Sequence, residues 1–275
     1  MTDQTKGQIN ITASIVLFKT DPSELKKVFQ CFCNASVNFK LFLIDNSPDD
    51  RLRDTITDER VSYQFQGKNL GYGRGHNVAI RKILDSSEYH LVLNSDITFG
   101  SNVLGALVEY LKEYKEVGLI MPKVLYPDGE LQYVCKLIPT PIDLILRRFL
   151  PDRFLQKRKE KFELTFTGYN QIMNVPYLSG CFMLLRIEVL KEIGLFDERF
   201  FLYPEDLDLT RRIHQKYKTV FYPKVSIVHA HARESYYNRY LTFVHAINMI
   251  KYFNKWGWVF DSTRRKTNRS VLKQL

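Results

Sequence analysis

Uncharged apolar runs alternate with segments of helical spacing along the chain. The first run, residues 9–18 (INITASIVLF), has the composition of a strand that is buried on both faces of a parallel sheet. Shorter runs of the same kind follow it, and apolar positions three to four residues apart lie between them. The predicted strands are 9–18, 40–44, 61–65, 89–93, 117–121, 181–185 and 218–228. Six helices are predicted. The first begins near Pro22, the second follows the Gly-rich loop that ends at Asn77, and the third spans 101–114. The fourth includes Val189 and Leu190, the fifth begins after Pro204, and the sixth spans 235–256.

This alternation predicts right-handed βαβ units and therefore an α/β fold, with a mostly parallel sheet flanked by helices and a helical C-terminal extension. Ligands bind such sheets at the carboxyl ends of the strands. Three polar clusters occur at those ends: Asp45, the loop 69–77, and Asn94 with Asp96. We expect them to converge on one crevice.

The chain divides by composition at two places. Residues 1–234 form one predicted domain, and residues 235–275 form an amphipathic helix followed by a basic tail. Within the domain, residues 126–172 lose their periodicity, contain Pro139 and Pro141, and include the basic stretch 147–161. We interpret 126–172 as an insertion that can be mobile.

Net charge and cysteine content limit which classes of binding partner and which cellular compartment fit the sequence. The 275 residues are 45% hydrophobic, which excludes a disordered chain, and carry a net charge of +10. This charge favours an anionic partner: a phosphate-bearing ligand, a nucleic acid or a membrane surface. The four cysteines form no CxxC pair, as expected of a reducing cytoplasm. No signal peptide or spanning segment is apparent, so membrane contact should be peripheral.

Three carboxylates stand in the apolar run 200–209: Glu205, Asp206 and Asp208. Burial of ionised carboxylates costs several kcal/mol unless they are paired. They follow Pro204, so they can also occupy a first helical turn, where the helix dipole favours negative charge. A helix start and an acidic site are both open at this point.

Two further motifs are ambiguous by themselves. His229 closes the last predicted strand, where a lone histidine is usually structural, and His231 competes with it. The glycines of 71–75 do not have the spacing of a dinucleotide fingerprint, and no Gly-Lys-Ser/Thr follows, so a P-loop is excluded.

In order along the chain, these motifs resemble family 2 glycosyltransferases with the GT-A fold, and within them the rhamnosyltransferase-like enzymes of bacterial surface polysaccharide synthesis. The resemblance covers about residues 11–235. The motifs are Asp45-Asn46-Ser47, the loop 69–77, Asn94-Ser95-Asp96, Leu178-Ser179-Gly180-Cys181, and the run 194–208 followed by His229.

For a donor half at about 9–125, the resemblance implies a nucleotide-diphosphate sugar site. Asp96, with Asn94 and Ser95, would hold Mg2+ or Mn2+ against the diphosphate, and His229 would reach the metal. Asn94 stands where the family usually has Asp, which leaves Asp96 as the one carboxylate ligand. Donor contacts are expected from Phe18, Asp45 (reading the base edge), Asn69, Arg74 and Asn77, although Asn77 could instead cap the following helix.

For an acceptor half at about 173–234, the resemblance implies that Asp206 is the general base of an inverting transfer. Contacts to the acceptor are expected from Ser179, Gly180, Glu205 and Asp208, although Asp208 could equally be a helix-start residue. Thymidine-diphosphate rhamnose is the leading donor, before a uridine-diphosphate hexose or galactofuranose. The acceptor is expected to be a lipid-linked or oligosaccharide hydroxyl, at the inner face of the cell membrane.

Other functions stay open on the sequence alone. The charge and the 37 aromatic residues would suit a nucleic-acid-binding protein, although most of the aromatics fall in apolar runs and no nucleic acid is expected. Asn94 leaves room for an inactive relative. The tail, with Trp256, Trp258 and the cations 264–273, could be a solvated face or could contact an anionic membrane. The oligomeric state is not defined.

Overall fold

A nine-stranded sheet forms the centre of the described structure. The computed structural model describes residues 10–143, 152–230 and 239–275. The strands are β1 (Asn10–Leu17), β2 (Asn38–Asp45), β3 (Val61–Phe65), β4 (Tyr89–Leu93), β5 (Ile97–Phe99), β6 (Val117–Leu125), β7 (Cys135–Lys136), β8 (Met173–Asn174), β9 (Tyr177–Leu178), β10 (Phe182–Arg186) and β11 (Lys218–His229). The helices are α1 (Pro22–Asn34), α2 (Tyr72–Ile83), α3 (Val103–Glu113), α4 (Asp152–Phe162), α5 (Ile187–Ile193), α6 (Glu205–His214), α7 (Arg239–Trp256) and α8 (Ser262–Gln274).

The strand order of the main sheet is β3-β2-β1-β4-β10-β6-β11-β5, and β8 also pairs with β11. The pairs β3–β2, β2–β1, β1–β4 and β6–β11 are parallel, whereas β10 runs antiparallel between β4 and β6. The short strands β7 and β9 form a separate antiparallel pair. The predicted α/β fold with a mostly parallel sheet is therefore confirmed.

Strand register brings the predicted polar clusters to one edge of this sheet. Leu17 pairs with Asp45 across β1 and β2, and Ile15 pairs with Leu93 across β1 and β4. Because these pairs are parallel, Phe18, Asp45 and Asn94 all leave the sheet at its carboxyl edge. Strand β4 is entirely buried and five of the eight residues of β1 are buried, as their uncharged sequences predict.

Helix α2 begins earlier than the sequence predicts, because two of the three glycines expected in a loop lie inside it. A Cβ on Gly75 would come within 2.6 Å of Val16 Cγ2, and one on Gly73 within 2.9 Å of Phe196 Cβ. The missing side chains therefore let α2 lie directly on β1 and on the segment before α6. The helix starts at Tyr72, so Asn77 is an interior residue and does not cap it.

The segment 126–172 contributes to the main core where it is described. Val134, Cys135, Leu164 and Tyr169 are buried in the same apolar cluster as the sheet. The Tyr169 hydroxyl also donates to the carbonyls of Cys135 and Glu163. These contacts attach the segment to the sheet on both sides of α4; residues 144–151 lie outside the described part of the chain.

The C-terminal residues fold as two helices, which confirms the predicted helical extension, and the basic tail is itself helical over 262–274. The Asp261 carboxylate accepts from the Arg264 amide at 2.8 Å and begins α8. Arg264 and Val271 face inward, while the other cations of α8 are exposed. Trp256 is also placed differently from the expectation of a membrane-facing side chain, because its ring lies 3.9 Å from the Arg211 guanidinium.

Candidate active site

The first turn of α6 carries the acidic residues that the sequence singles out, and each one has different surroundings. Asp206 is half-buried. Its Oδ2 accepts from the Gly180 amide at 2.8 Å and its Oδ1 from the Leu207 amide at 2.7 Å. Burial nevertheless raises the pKa of Asp206 above its ordinary value, which makes the carboxylate a stronger base.

Glu205 points the other way, into the protein. Its side chain is 3% exposed, and Oε2 has no hydrogen-bond partner among the described residues. Burial, with the neighbouring charge of Asp206 as a smaller cause, holds the pKa of Glu205 well above its ordinary range. A Cβ on Gly73 would lie 3.2 Å from Glu205 Cγ, so the residue packs against the start of α2.

Asp208 is a fully buried member of an ion-pair cluster. Its Oδ2 accepts from Arg212 Nε at 2.8 Å, and its Oδ1 accepts from Lys255 Nζ at 2.6 Å and Trp256 Nε1 at 2.8 Å. Both oxygens thus have partners inside the protein, and Asp208 ties α6 to α7. The predicted contact between Asp208 and the acceptor does not fit this placement, because no face of the carboxylate reaches solvent.

Opposite α6, the segment after β4 approaches the end of β11. His229 Nε2 lies 3.4 Å from Asp96 Oδ1 and 3.2 Å from Asn94 Nδ2. Pairing between β5 and β11 holds the two segments together, since the Ala230 amide donates to the Asp96 carbonyl at 3.1 Å. Ser95, the middle residue of the motif, is half-buried between them.

The tautomer of His229 follows from its other neighbour. Gln132 Nε2 donates to the His229 carbonyl at 2.7 Å, so Gln132 Oε1 faces His229 Nδ1 at 2.9 Å and accepts its proton. Nε2 is then the atom directed at Asp96. Burial alone would lower the pKa of His229, but hydrogen bonds with Asp96 and Cys181 raise it to about 10.

One tyrosine connects the two groups of residues. The Tyr72 hydroxyl donates toward the Gly180 carbonyl at 2.7 Å and toward Asn94 Oδ1 at 3.0 Å. Gly180 in turn donates its amide to Asp206, and a Cβ on Gly180 would lie only 3.0 Å from Asp206 Cβ. A continuous path of contacts therefore runs from Asp206 through Gly180, Tyr72 and Asn94 to His229 and Asp96. The amide of Ser179, the residue before Gly180, donates to the Val134 carbonyl at 3.1 Å.

The glycine-rich turn before α2 supports this path. Gly71 has φ +85°, and a Cβ there would lie 2.2 Å from the Phe201 carbonyl oxygen. The Tyr72 amide donates to that same carbonyl at 3.0 Å, which joins the start of α2 to the segment that leads into α6. Asn69 Oδ1 accepts from the Gly71 amide at 2.9 Å and fixes the turn. Only glycine suits this position.

The carboxyl ends of β1 and β2 form a second polar group. Asp45 is fully buried and accepts from the Tyr63 hydroxyl at 2.6 Å and the Ser47 amide at 2.8 Å. Asn46 Oδ1 is buried without a hydrogen-bond partner among the described residues. Phe18, next to them, is 49% exposed.

Two predicted donor contacts on α2 have partners in the segment before α6. Arg74 Nε lies 3.4 Å from Glu198 Oε2, and the Arg74 side chain is half-exposed. Asn77 is fully buried: its Nδ2 donates to the Phe196 carbonyl at 2.9 Å, and its Oδ1 accepts from the Phe196 amide at 3.1 Å. Asn77 therefore joins α2 to this segment. The placement does not fit the predicted donor contact, because the whole amide is used inside the protein.

Comparison with known proteins identifies the family. The Glycosyl transferase family 2 profile matches residues 14–194. The chain belongs to this family. It is 27% identical, over 62% of its length, to N-acetylglucosaminyl-diphospho-decaprenol L-rhamnosyltransferase of Mycobacterium tuberculosis, and it spans 58% of that relative. It is 24% identical over 75% of its length to the low-salt glycan biosynthesis hexosyltransferase Agl10 of Haloferax volcanii, spanning 62% of that protein. It is 23% identical to the rhamnosyltransferase WbbL of Escherichia coli, covering 69% of this chain and 71% of WbbL.

Solved structures share the fold of this glycosyltransferase. A crystal structure of GalNAc-T7 with UDP, GalNAc and Mn2+ aligns with a TM-score of 0.59 at 15% identity, over 81% of this chain and 43% of the other. The mannosyltransferase PcManGT of Pyrobaculum calidifontis, in complex with GDP-Man and Mn2+, aligns with a TM-score of 0.57 at 13% identity, over 84% and 59%. The fold is thus GT-A, as the motif order predicts.

Several residues in the site were not predicted. Tyr72 lies between two glycines of a motif that the sequence analysis did assign, so its position was available as a signal. Gln132 and Lys136 lie in the aperiodic segment 126–172, where no pattern distinguishes them. The positive charge of Lys136 lowers the pKa of Asp206 and so opposes the effect of burial. His231, the competitor of His229, lies outside the described residues.

Proposed function

We propose that this family 2 glycosyltransferase transfers a sugar, with inversion at the anomeric carbon, from a nucleoside-diphosphate sugar to an acceptor hydroxyl group. The observation that carries the proposal is the path of contacts between Asp96 and Asp206 through Gly180, Tyr72 and Asn94. It supports a single site in which one end binds the leaving diphosphate and the other activates the acceptor.

Asp206 is the proposed general base. In an inverting transfer the acceptor oxygen attacks the anomeric carbon, the bond to the diphosphate oxygen breaks, and a carboxylate takes the hydroxyl proton. The two amides on Asp206 fix its orientation, and each oxygen retains a lone pair. Its raised pKa favours acceptance of the proton. Glu205 is directed into the protein and supports this group from behind.

The residues beside Asn94 fit a divalent cation. Asp96 offers a carboxylate oxygen. His229 would offer Nε2 once the cation displaces the proton that hydrogen bonding with Asp96 favours there, while its Nδ1 proton stays on Gln132. In the parts of the chain that the structure describes, no three His, Cys, Asp or Glu residues form a metal cluster. Mg2+ commonly relies on one or two protein ligands together with substrate phosphates. Mg2+ or Mn2+ bound there would stabilise the negative charge of the departing diphosphate.

The ends of β1 and β2 are proposed to bind the nucleoside. The half-exposed Phe18 ring offers a stacking surface for the base, whereas Asp45, fully buried and bonded to Tyr63 and Ser47, would support the turn beside the base rather than contact its edge. The buried, unpartnered Asn46 Oδ1 adds an acceptor that the sequence analysis did not assign. Two further proposed donor contacts lie nearby in the chain: Asn69 is in the glycine-rich turn before α2, and the half-exposed Arg74 is in α2 itself.

We propose thymidine-diphosphate rhamnose as the donor and a lipid-linked or oligosaccharide glycan of the bacterial surface as the acceptor. Two of the relatives above are named rhamnosyltransferases and a third a hexosyltransferase. A uridine-diphosphate hexose or galactofuranose is the second choice. None of the described helices is long and apolar enough to cross a membrane. Because the proposed acceptor is lipid-linked, we propose peripheral contact with the inner face of the cell membrane.

Replacement of Asp206 by Asn tests the mechanism. The variant keeps the shape of the side chain but cannot take the proton, so kcat should fall by about 100- to 10,000-fold. Donor binding with Mn2+, measured by calorimetry, should stay near that of the wild type. Asp85→Asn, on an exposed carboxylate, is the matched control. Near-normal turnover in the Asp206 variant would remove this residue from the mechanism.

The donor is tested by thermal shift against a panel of sugar nucleotides, with and without Mn2+. We expect the largest stabilisation from thymidine-diphosphate rhamnose in the presence of the metal. A larger shift with another nucleotide would reassign the donor without changing the proposed reaction.

A further inference from the structure

Helix α7 presents an apolar stripe on its outer surface. Phe243, Ile247 and Ile250 are 62%, 37% and 49% exposed and recur at intervals of four and three residues, so they lie on one face of the helix. The opposite face, which includes Met249, Tyr252 and Phe253, is buried against α6 and the segment before it. The fold therefore leaves this stripe uncovered by the described residues.

The stripe continues into the turn after α7. Asn254 follows Ile250 on the same helical face and accepts from Trp258 Nε1 at 2.8 Å. Trp258 and Val259 are 42% and 61% exposed, and Phe260 is 91% exposed. Aromatic and large apolar side chains this exposed are typical of surfaces that contact another phase or partner.

A basic groove adjoins the end of the stripe. Arg265, Lys266, Arg269 and Lys273 lie on one face of α8 and, with Phe260, line a groove of about 640 Å³. Residues 239–275 contain eight Lys and Arg residues but a single acidic one, Asp261. Asp261 is buried and paired with Arg211, so its charge is used internally.

We propose that the stripe of α7, the turn Trp258–Phe260 and the basic face of α8 form one surface that docks on a lipid bilayer containing anionic headgroups. The apolar side chains would enter the headgroup boundary while the cations contact lipid phosphates. A second copy of the chain fits this surface less well, because two faces with the same cationic charge repel each other.

The proposed surface is mechanically connected to the site. On the inner face of α7, Asn248 Nδ2 donates to the Leu202 carbonyl at 2.8 Å, and Trp256 Nε1 donates to Asp208. The helix that contacts lipid thus also holds the residues on both sides of Asp206. This inference rests on the proposed function in one respect, the lipid-borne acceptor, and identifies the surface that brings the enzyme to it.

Vesicle flotation of the full chain tests docking without substrate. Vesicles of phosphatidylcholine with about 30 mol% phosphatidylglycerol should bind the wild type, whereas phosphatidylcholine alone should bind it weakly. Replacement of Arg265, Lys266 and Arg269 by Gln should weaken anionic-vesicle binding about fivefold per cation. The control variant, Lys26→Gln with Lys27→Gln and Lys112→Gln, has the same net charge but removes exposed cations of α1 and α3. Equal losses in both triple variants would overturn the proposal in favour of a general charge effect.

The apolar half of the surface is tested by Ile250→Ser with Phe260→Ser, both exposed positions. Binding to anionic vesicles should fall at least tenfold, while light scattering shows an unchanged molecular mass. If vesicle binding persists and the mass of the wild type falls in this variant, the surface is a contact between copies and docking is refuted. Asp206→Asn should bind vesicles like the wild type. Failure of the proposed chemistry would therefore appear in turnover alone, and failure of docking in flotation alone.

Discussion

At the scale of single residues, Tyr72 is the contact on which the two ends of the site depend. Its hydroxyl donates toward both Gly180, which orients Asp206, and Asn94, which contacts His229. It touches no group that the proposed chemistry changes, so we interpret it as a positioning residue. Its loss should loosen the geometry between the base and the diphosphate end without removing either.

Tyr72→Phe should accordingly reduce kcat about tenfold. It should also destabilise the fold by about 1–2 kcal/mol, because removal of the hydroxyl leaves a buried acceptor without a hydrogen-bond donor. KM for the donor should change much less than kcat; because loss of folded protein would also lower the apparent kcat at constant KM, kcat is calculated per folded enzyme. Steady-state kinetics and urea unfolding measure the two effects. Tyr110→Phe, in a half-buried tyrosine that stacks on Tyr114, is the matched control. A KM effect equal to the kcat effect would contradict a positioning role.

The burial of Glu205 leads to a prediction about how stability depends on pH. The pKa of Glu205 in the folded protein is raised well above its value in the unfolded chain. At a pH between these two values folding takes up a proton, so the free energy of unfolding falls as pH rises through this range. The loss is at most about 1.4 kcal/mol per pH unit. Between about pH 5 and pH 8, Glu205→Gln should therefore gain stability relative to the wild type. Chemical denaturation at several pH values measures this, with the exposed Glu109→Gln as control. A constant difference would show that Glu205 is ionised in the folded protein throughout.

The site residues differ in how far the sequence could predict them. Asp96, Asp206 and Gly180 fall in motifs with recognisable order, and the structure brings them together. Asp208 belongs to the same acidic run, but its role depends on Lys255 and Trp256, nearly 50 residues later. No local pattern reveals a partner at that distance. The period of a helix shows which face a carboxylate occupies, yet not what covers that face.

At the scale of elements, the joint between α6 and the C-terminal helices is built around a buried arginine. Arg211 Nη2 donates to both oxygens of Asp261, at 2.7 and 2.8 Å, and Nη1 donates to the Tyr252 hydroxyl at 3.0 Å. Arg211 is 1% exposed. Removal of one partner from such a pair strands the other charge in the interior.

Arg211→Met should therefore cost about 3–5 kcal/mol in the free energy of unfolding. Because α6 carries Asp206, kcat should also fall, measured well below the melting temperature. The double variant Arg211→Met with Asp261→Asn removes both charges, keeps a capping side chain for α8 and should regain part of the stability, since the buried Arg264 also loses its ion-pair partner. Equal destabilisation in the single and double variants would contradict the interpretation as a stranded charge.

Elements with strong composition were predictable, and elements defined by long-range contacts were not. The buried strands β1 and β4 were predictable from their uncharged sequences, and β2 from its apolar run 41–44. Strand β5 is three residues long and gives no periodic signal, although it brings Asp96 to His229. Helix α8 was hidden by its charges, because its only fully buried residues are Arg264 and Val271, with Leu272 partly packed against the core. Its cap, Asp261, is recognisable only from its contacts.

At the scale of the whole molecule, buried titratable groups whose pKa shifts change stability with pH in opposite directions set the pH at which the fold is most stable. Ser14 Oγ lies 2.7 Å from His76 Nδ1 and 2.8 Å from His90 Nε2, and both rings are fully buried. Burial lowers the pKa of His90 to about 3 and that of His76 well below its ordinary value. Each histidine therefore stabilises the fold above pH 6.5, and this contribution is lost as pH falls.

Because Glu205 acts in the opposite direction, we expect the maximum of stability between about pH 5 and pH 7. Replacement of His76 and His90 by Asn should flatten the decline on the acid side of the maximum. The free energy of unfolding, measured by urea denaturation at each pH, tests this. An unchanged acid slope in the double variant would assign the decline to other groups, such as the paired carboxylates.

The position of Arg211 also bears on the order in which the enzyme matures. Asp261, its ion-pair partner, lies 50 residues later in the chain. During translation, the helix that carries Asp206 therefore leaves the ribosome well before the residues that anchor it. A nascent chain can therefore complete β1 to β6 first and gain the anchor of α6 only afterwards. We expect any activity that needs a fixed Asp206 to appear only after α7 and α8 have folded.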